Sequence, residues 1–260
     1  METEKTNAPR SSHWANVRRP GERASLSRSA TRALDILELF GQVQKPLRAI
    51  EIARAFNLGP STTNQLLKTM VESAHLTFDA AAKTYLPSPR LARFAGWMVK
   101  SYGASEQLQT LLVHIRNASG ETVTLSTPND VFMQIVDHAG SADDTETAVR
   151  GLRVSIFGSV IGTAYLSTLT RPEIIKLAAR ARVEAGDLAE LLKDVRHIRE
   201  NGVGDGPNLS GGIWSIAAPL TSQRNALPLV LGLAGPATRI RQHIEPLRAL
   251  IRDAAARPAT

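Results

Sequence analysis

The sequence predicts an α+β protein in two parts: an N-terminal winged helix-turn-helix and a larger C-terminal domain on a mostly antiparallel sheet. Three observations predict it. Residues 47–71, LRAIEIARAFNLGPSTTNQLLKTMV, read as two short helices joined by a tight turn. Two short strand patterns follow that hairpin, at 76–78 and 84–86, as a wing would. Beyond residue 103, strand-like runs fall in two groups separated by helical runs, which is the α+β arrangement.

With 260 residues and 43% hydrophobic content, the chain can fill two modest cores. It has no apolar run of about eighteen residues, so no membrane partner is expected. The polar N-terminus lacks the apolar core of a secretory signal. The absence of cysteine excludes disulfides and thiolate metal sites. These features predict a cytoplasmic protein. Charge is distributed unevenly: residues 1–100 hold 15 basic and 8 acidic side chains, and residues 101–260 hold 16 of each. The whole excess of +7 therefore accompanies the helix-turn-helix. Double-stranded DNA is the partner this predicts for the first part alone. A basic surface kept for solubility would not require such asymmetry.

Residues 1–26 are polar and aperiodic, with Pro9, Pro20 and Gly21, and are expected to be a disordered arm. Arg18, Arg19 and Arg23 in it either touch phosphates or belong to a plain tail. Ser27 or Ser29 caps a helix with apolar positions Ala30, Ala33, Leu34, Leu37 and Phe40, and Gly41 is its expected stop. Arg28 and Arg32 lie outward on its first turns.

In the hairpin, Asn57 suits the left-handed conformation that ends a helix, Gly59 serves as N-cap and Pro60 as first helical residue. The second helix turns Thr63, Leu66, Leu67 and Met70 inward, leaving Ser61, Thr62, Asn64, Gln65 and Lys68 outward. The wing's tip, Asp79–Lys83, carries Lys83 as its one basic residue, so it should position rather than read. Ser88-Pro89 opens a further helix with Leu91, Phe94, Ala95, Met98 and Tyr102 on its apolar stripe, suited to dimerisation or to packing on its own domain. The expected divisions are 1–26 arm, 27–87 winged helix-turn-helix, 88–103 linker helix and 104–256 second domain.

In that second domain residues 104–118 read as helix. Strands are expected at 121–127, 131–138, 148–156, 212–220 and 227–234, and helices near 159–169, 171–182, 187–201 and 238–256. Thr170-x-x-Glu173 and Asp187-x-x-Glu190 fit capping boxes. The segment NGVGDGPNLSGG, 201–212, is expected to be a mobile cover over a site, with Asp205 as its only charge. It follows a helix rather than a strand, so it is not a dinucleotide fingerprint.

For DNA, Arg28, Arg32, Lys68, Lys83 and the hydroxyls of Ser61 and Thr62 suit phosphate contacts, which set register and salt dependence. Asn64 and Gln65 carry amides that pair with adenine N6 and N7, so they suit base edges. Enzyme chemistry finds no support. The six histidines are scattered, neither H-E-x-x-H nor G-x-S-x-G occurs, and Ser159 reads as a helix start. Asp143-Asp144 reads as solvated surface. No catalytic residue, metal ligand or cofactor is expected. A DNA-binding architectural protein without a ligand is a competing class.

Taken together, SATRALDILELF, PLRAIEIARAFNLGPSTTNQLLKTM and YLPSPRL in the first part, with VRGLRVSIFGSVIGTAYL, IWSIAAPL and LGLAGPATRI in the second, resemble the isocitrate lyase regulator (IclR) family. The resemblance spans about Ser27 to Ala256. It implies a winged helix-turn-helix, a linker helix and a GAF-like effector domain. It also implies a homo-oligomer, dimer or tetramer, on a pseudo-palindromic operator, tuned by a small organic acid. By position it places an effector near Val160 and Ile161, with Asp205, Ser215, Gly232 and Ala234. This chain departs from the family where small residues are frequent at 160 and 161, hydroxyls at 232 and 234, and a lysine at 163. Those departures favour a less polar effector, an aromatic acid or phenol held by Ser215, or a domain that has lost its ligand.

Overall fold

The computed structural model describes residues 17–18, 27–102, 105–140, 151–208, 212–220 and 228–256. The described residues form two compact units, one from 27 to 100, the other from 101 onward together with Val17 and Arg18.

The smaller unit begins with α1, Arg28–Val43, whose N-cap Ser27 accepts a hydrogen bond from the Ala30 N–H. The helix runs through Gly41, which is not its stop; Gln44 ends it in the left-handed region at φ 49°. Its buried stripe is Ala33, Ile36, Leu37 and Phe40, spaced i, i+3, i+4, i+7. Leu34, expected inside, is 63% exposed. Next come α2, Ala49–Ala55, and α3, Pro60–Glu72, and their joint is as the residues predict. Asn57 adopts φ 49°, Gly59 is the N-cap and Pro60 opens the helix. Glu51 accepts from the Arg48 N–H at 2.8 Å, holding the start of α2.

The wing pairs β2, Leu76–Asp79, with β3, Thr84–Pro87. Leu47 adds a bridge to Tyr85, with N–H donated in both directions. At the tip Asp79 Oδ1 accepts from the Ala81 and Ala82 N–H groups, which lets Lys83 turn at φ 55°. Ile36, Phe40, Leu47, Ile52, Leu67, Met70 and Leu76 fill one core beneath these elements. The following helix, α4, covers Arg90–Tyr102, and Ser88 Oγ accepts from the Arg90 N–H at its start.

The larger unit has three layers around one antiparallel sheet of seven strands, in the order β1-β6-β5-β4-β9-β8-β7. These are β1 Val17–Arg18, β4 Thr122–Asn129, β5 Phe132–Ala139, β6 Arg153–Ser155, β7 Gly204–Pro207, β8 Ile213–Pro219 and β9 Val230–Pro236. One face packs on α5 (Ser105–Ser119), α9 (Ala237–Gln242) and α10 (Ile244–Ala256) through Leu112, Ile115, Ile240, Leu247 and Ile251. The other packs on α6 (Val160–Leu166), α7 (Arg171–Ala181) and α8 (Ala185–Asn201) through Ala164, Leu166, Ile174, Leu191, Val195 and Ile198. Each strand of the centre is thus buried on both faces.

Four expectations change here. Val17 and Arg18 are not part of a featureless arm: they pair with Val154 and Arg153 at the sheet edge. The rest of 1–26 lies outside the described residues. Residues 204–207 are not a loop, since β7 pairs in register with β8. The helix expected at 238–256 is two helices, broken at His243. Pro246 causes the break, because it lacks the N–H that a continuous helix would donate to Gln242. The capping box at Thr170 is present, with Glu173 accepting from both the N–H and the hydroxyl, and those bonds lower the Glu173 pKa. The one at Asp187 is not: α8 starts at Ala185 with Glu184 as cap, and Asp187 instead sits in the first turn, where a negative charge suits the helix dipole.

Candidate nucleic-acid interface and ligand cavity

On α3 every second-helix assignment lands on its expected side. Thr63, Leu67 and Met70 are buried, and Ser61, Thr62, Asn64, Gln65 and Lys68 are exposed. Thr63 also donates its hydroxyl to the Gly59 carbonyl, so the one polar inward residue is satisfied. Lys68 stands 3.7 Å from Glu72 in an exposed pair, which is weak enough to yield to a phosphate. Arg28 and Lys83 are exposed, and Arg32 is half-buried. Sequence reasoning passed over Arg48 and Arg54, which are exposed at the two ends of α2. Arg48 is the N-cap residue of α2 and Arg54 lies in its last turn, next to the buried pair Ile52-Ala53.

A cavity of about 60 Å³ lies where the first turn of α6 crosses the sheet. Val160, Ile161, Ser215, Gly232 and Ala234 all line it, so five of the six expected residues come together. Asp205 does not join them. It pairs with Ile216, whose side chain lies on the α10 face, while its neighbour Gly206 faces Val160. The Asp205 carboxylate is engaged there by Trp214 Nε1 at 3.0 Å and by Arg248 Nη1 at 3.2 Å. The strand's alternation therefore carries Asp205 to the opposite side of the sheet.

The start of α6 is fixed by Ser159. Its hydroxyl donates to the Ser155 carbonyl at 2.5 Å and accepts from the Gly162 N–H at 3.2 Å. Thr163 donates to the Ser159 carbonyl, so it too is committed to the helix. Gly162 is required, because a Cβ there would overlap the Ile156 carbonyl. The Val160 and Ile161 side chains are thereby held over the sheet, and they account for the small volume. An engineered cavity of about 150 Å³ holds benzene. The space present here is less than half of that.

Thr124 was missed by sequence reasoning. It sits on β4 opposite Gly232 and lines the cavity. Leu152, Val154 and Asn208 add further lining. No metal-binding cluster of His, Asp and Glu occurs among the described residues. No helix of the described residues is long and apolar enough to cross a membrane.

Comparison with known proteins agrees with this architecture. The IclR helix-turn-helix domain matches residues 29–79, and the bacterial transcriptional regulator IclR C-terminal domain matches residues 98–260. No curated protein matches. Among solved structures, the IclR transcriptional regulator of Alicyclobacillus acidocaldarius is similar at 19% identity and TM-score 0.55, over 89% of this chain and 97% of that one. Thermotoga maritima IclR is similar at 17% identity and TM-score 0.55, over 87% and 95%. The Agobacterium tumefaciens repressor BlcR is similar at 22% identity and TM-score 0.53, over 87% and 94%. At such identities the likeness speaks for the fold, and the two domain matches speak for the family. The chain belongs to the IclR family of bacterial transcriptional regulators.

Proposed function

We propose that this regulator binds a pseudo-palindromic operator as a homo-oligomer and that a small organic acid in the α6 cavity changes its hold on DNA. The observation that carries the first half is the outward face of α3. It presents Asn64 and Gln65 beside Ser61, Thr62 and Lys68, within the part of the chain that holds the whole excess of positive charge. Amide side chains on a recognition helix suit adenine edges, and the hydroxyls and Lys68 suit phosphates. Arg28, Arg32 and Lys83 add basic contacts to the same unit. Leu34 and Phe94, 63% and 58% exposed on α1 and α4, support association of copies. Two-fold association in turn implies paired half-sites.

Purified full-length protein should prefer duplex from its own upstream region over random duplex by about 10³-fold or more at moderate ionic strength. Equal affinity for the two, read by fluorescence anisotropy, rejects the proposal. A second reading has its own support: a cavity of about 60 Å³, filled by Val160 and Ile161, suits a domain that has lost its ligand and serves oligomerisation only. A panel of organic acids that neither stabilises the protein nor alters its operator complex selects that reading.

A further inference from the structure

We infer that Arg90 is a positioning residue for operator recognition: from the first turn of α4 it holds the C-terminal end of α3, and through that bond the setting of α4 reaches the residues that read bases. The inference rests on the reading above in which the outward face of α3 meets DNA.

Helix α3 ends in a turn that glycine ordinarily supplies. Ser73 is its C-cap, and Ala74 takes the left-handed conformation at φ 57°. The His75 N–H closes onto the Met70 carbonyl at 2.8 Å, and the Ala74 N–H onto the Val71 carbonyl at 2.9 Å. A Cβ is disfavoured in that conformation, so the turn depends on what surrounds it.

The surroundings form a closed ring of hydrogen bonds. Arg90 Nη1 donates to the Ser73 carbonyl at 3.1 Å. The Arg90 N–H donates to Ser88 Oγ at 3.2 Å, and the Ser88 N–H donates to the His75 carbonyl at 2.9 Å. The Ser73 hydroxyl donates to the Met70 carbonyl at 3.2 Å, so it accepts from His75 Nδ1 at 2.9 Å. Four residues thus join the end of α3, the approach to β2 and the start of α4. Two links connect distant parts of the chain, Ser88 to His75 and Arg90 to Ser73. Only the Arg90 link is made by a side chain, and its positive charge also suits the C-terminal end of a helix dipole.

Helix α4 spans Arg90–Tyr102 and carries the chain out of the smaller unit at Lys100. A turn of α4 about its start therefore pulls on Ser73. Asn64 and Gln65 belong to the same rigid helix, about 12–14 Å along its axis from Ser73. An amide pairing with a base edge tolerates a displacement of only about 0.5 Å, whereas the flexible stem of Lys68 can follow a phosphate further. Loosening the end of α3 should therefore cost base discrimination before it costs general affinity.

Fluorescence anisotropy of the full-length protein tests this with Arg90→Gln and Arg90→Lys, on duplex from its own upstream region and on random duplex at several salt concentrations. Arg90→Gln should lose about tenfold on the upstream duplex and less than about twofold on the random one, with the slope of log affinity against log salt unchanged. Arg90→Lys, which still carries a donor for the Ser73 carbonyl, should come within about threefold of the wild type. Ala74→Gly added to Arg90→Gln should return the melting temperature to the wild-type value or above, while discrimination stays low. Equal loss on both duplexes, with a slope lower by about one, would make Arg90 a phosphate contact and overturn the inference. Discrimination that returns together with stability in the double variant would make the bond merely structural and overturn it too. So would an Arg90→Gln protein that discriminates as the wild type does. A wild type that prefers neither duplex defeats the α3 reading itself, and this inference with it.

Discussion

Arg239, in the first turn of α9, grips the carboxylate of Glu121 through both Nε and Nη2. Glu121 is 2% exposed, and Gly235 on β9 leaves it room: a Cβ there would overlap the carboxylate. The pair ties α9 to the residue preceding β4. Removing the guanidinium strands a buried charge, which costs about 3–5 kcal/mol when both partners are buried. Arg239 is 46% exposed, so water screens part of that loss. Arg239→Gln should therefore destabilise by about 2–3 kcal/mol in denaturant unfolding. A variant as stable as the wild type would show that solvent already satisfies Glu121.

The size of the cavity is set by two side chains that can be trimmed. Ile161 is half-buried and lies over Gly232, and Val160 reaches Gly206 at the neighbouring edge. Ile161→Ala should cost about 1–2 kcal/mol, below the range for a fully buried isoleucine. In exchange it should bind benzoate more tightly than the wild type does. Thermal shift with and without benzoate reads both effects. Loss of stability without new binding would mean the freed space collapses.

The edge of the sheet gives another test. Val17 and Arg18 pair with Val154 and Arg153, and Val154 also lines the cavity. Two paired residues bring only a few ladder hydrogen bonds, each worth about 0.5–1.5 kcal/mol net. A chain lacking residues 1–22 should keep its fold while amides at 153–155 exchange faster with deuterated solvent. Unchanged protection there would mean that β6 does not need its outer neighbour.

What the sequence reveals depends on how locally each feature is determined. Asn57, Gly59 and Pro60 act within one turn, and the α3 stripe needs only helical spacing, so the reader hairpin was legible residue by residue. On α1 two stripes compete, one through Leu34 and one through Ile36; packing on α3 and the wing decides for Ile36, and no local rule does. The segment 204–207 looks like a loop because glycine and proline disfavour strands. It becomes a strand because β8 offers a ladder and because its glycines must be bare, with Ile198 packed where a Cβ of Gly204 would go. Asp205 and Thr124 illustrate the same limit from opposite sides. Alternation says that neighbours in a strand face apart, but only the register of β4, β9, β8 and β7 says which residue faces the cavity.

On α3 the roles of Gln65 and Lys68 are separable, because they lie three positions apart on one exposed face but differ in chemistry. An amide reading a base edge matters only where that base is present. Gln65→Ala should therefore lose about 1–3 kcal/mol at one base pair of the operator and little on sequences already mismatched there. A lysine at a phosphate acts on every duplex alike and releases a counterion. Lys68→Ala should weaken operator and random DNA by the same factor and reduce the slope of log affinity against log salt by about one. The exposed pair with Glu72 costs little to give up, so the Lys68 effect should not be masked by stability. Titrations of both variants against operators substituted one base pair at a time, at several salt concentrations, distinguish the two roles. If Gln65→Ala shifts all sequences evenly, or Lys68→Ala leaves the salt slope intact, α3 does not meet DNA through this face.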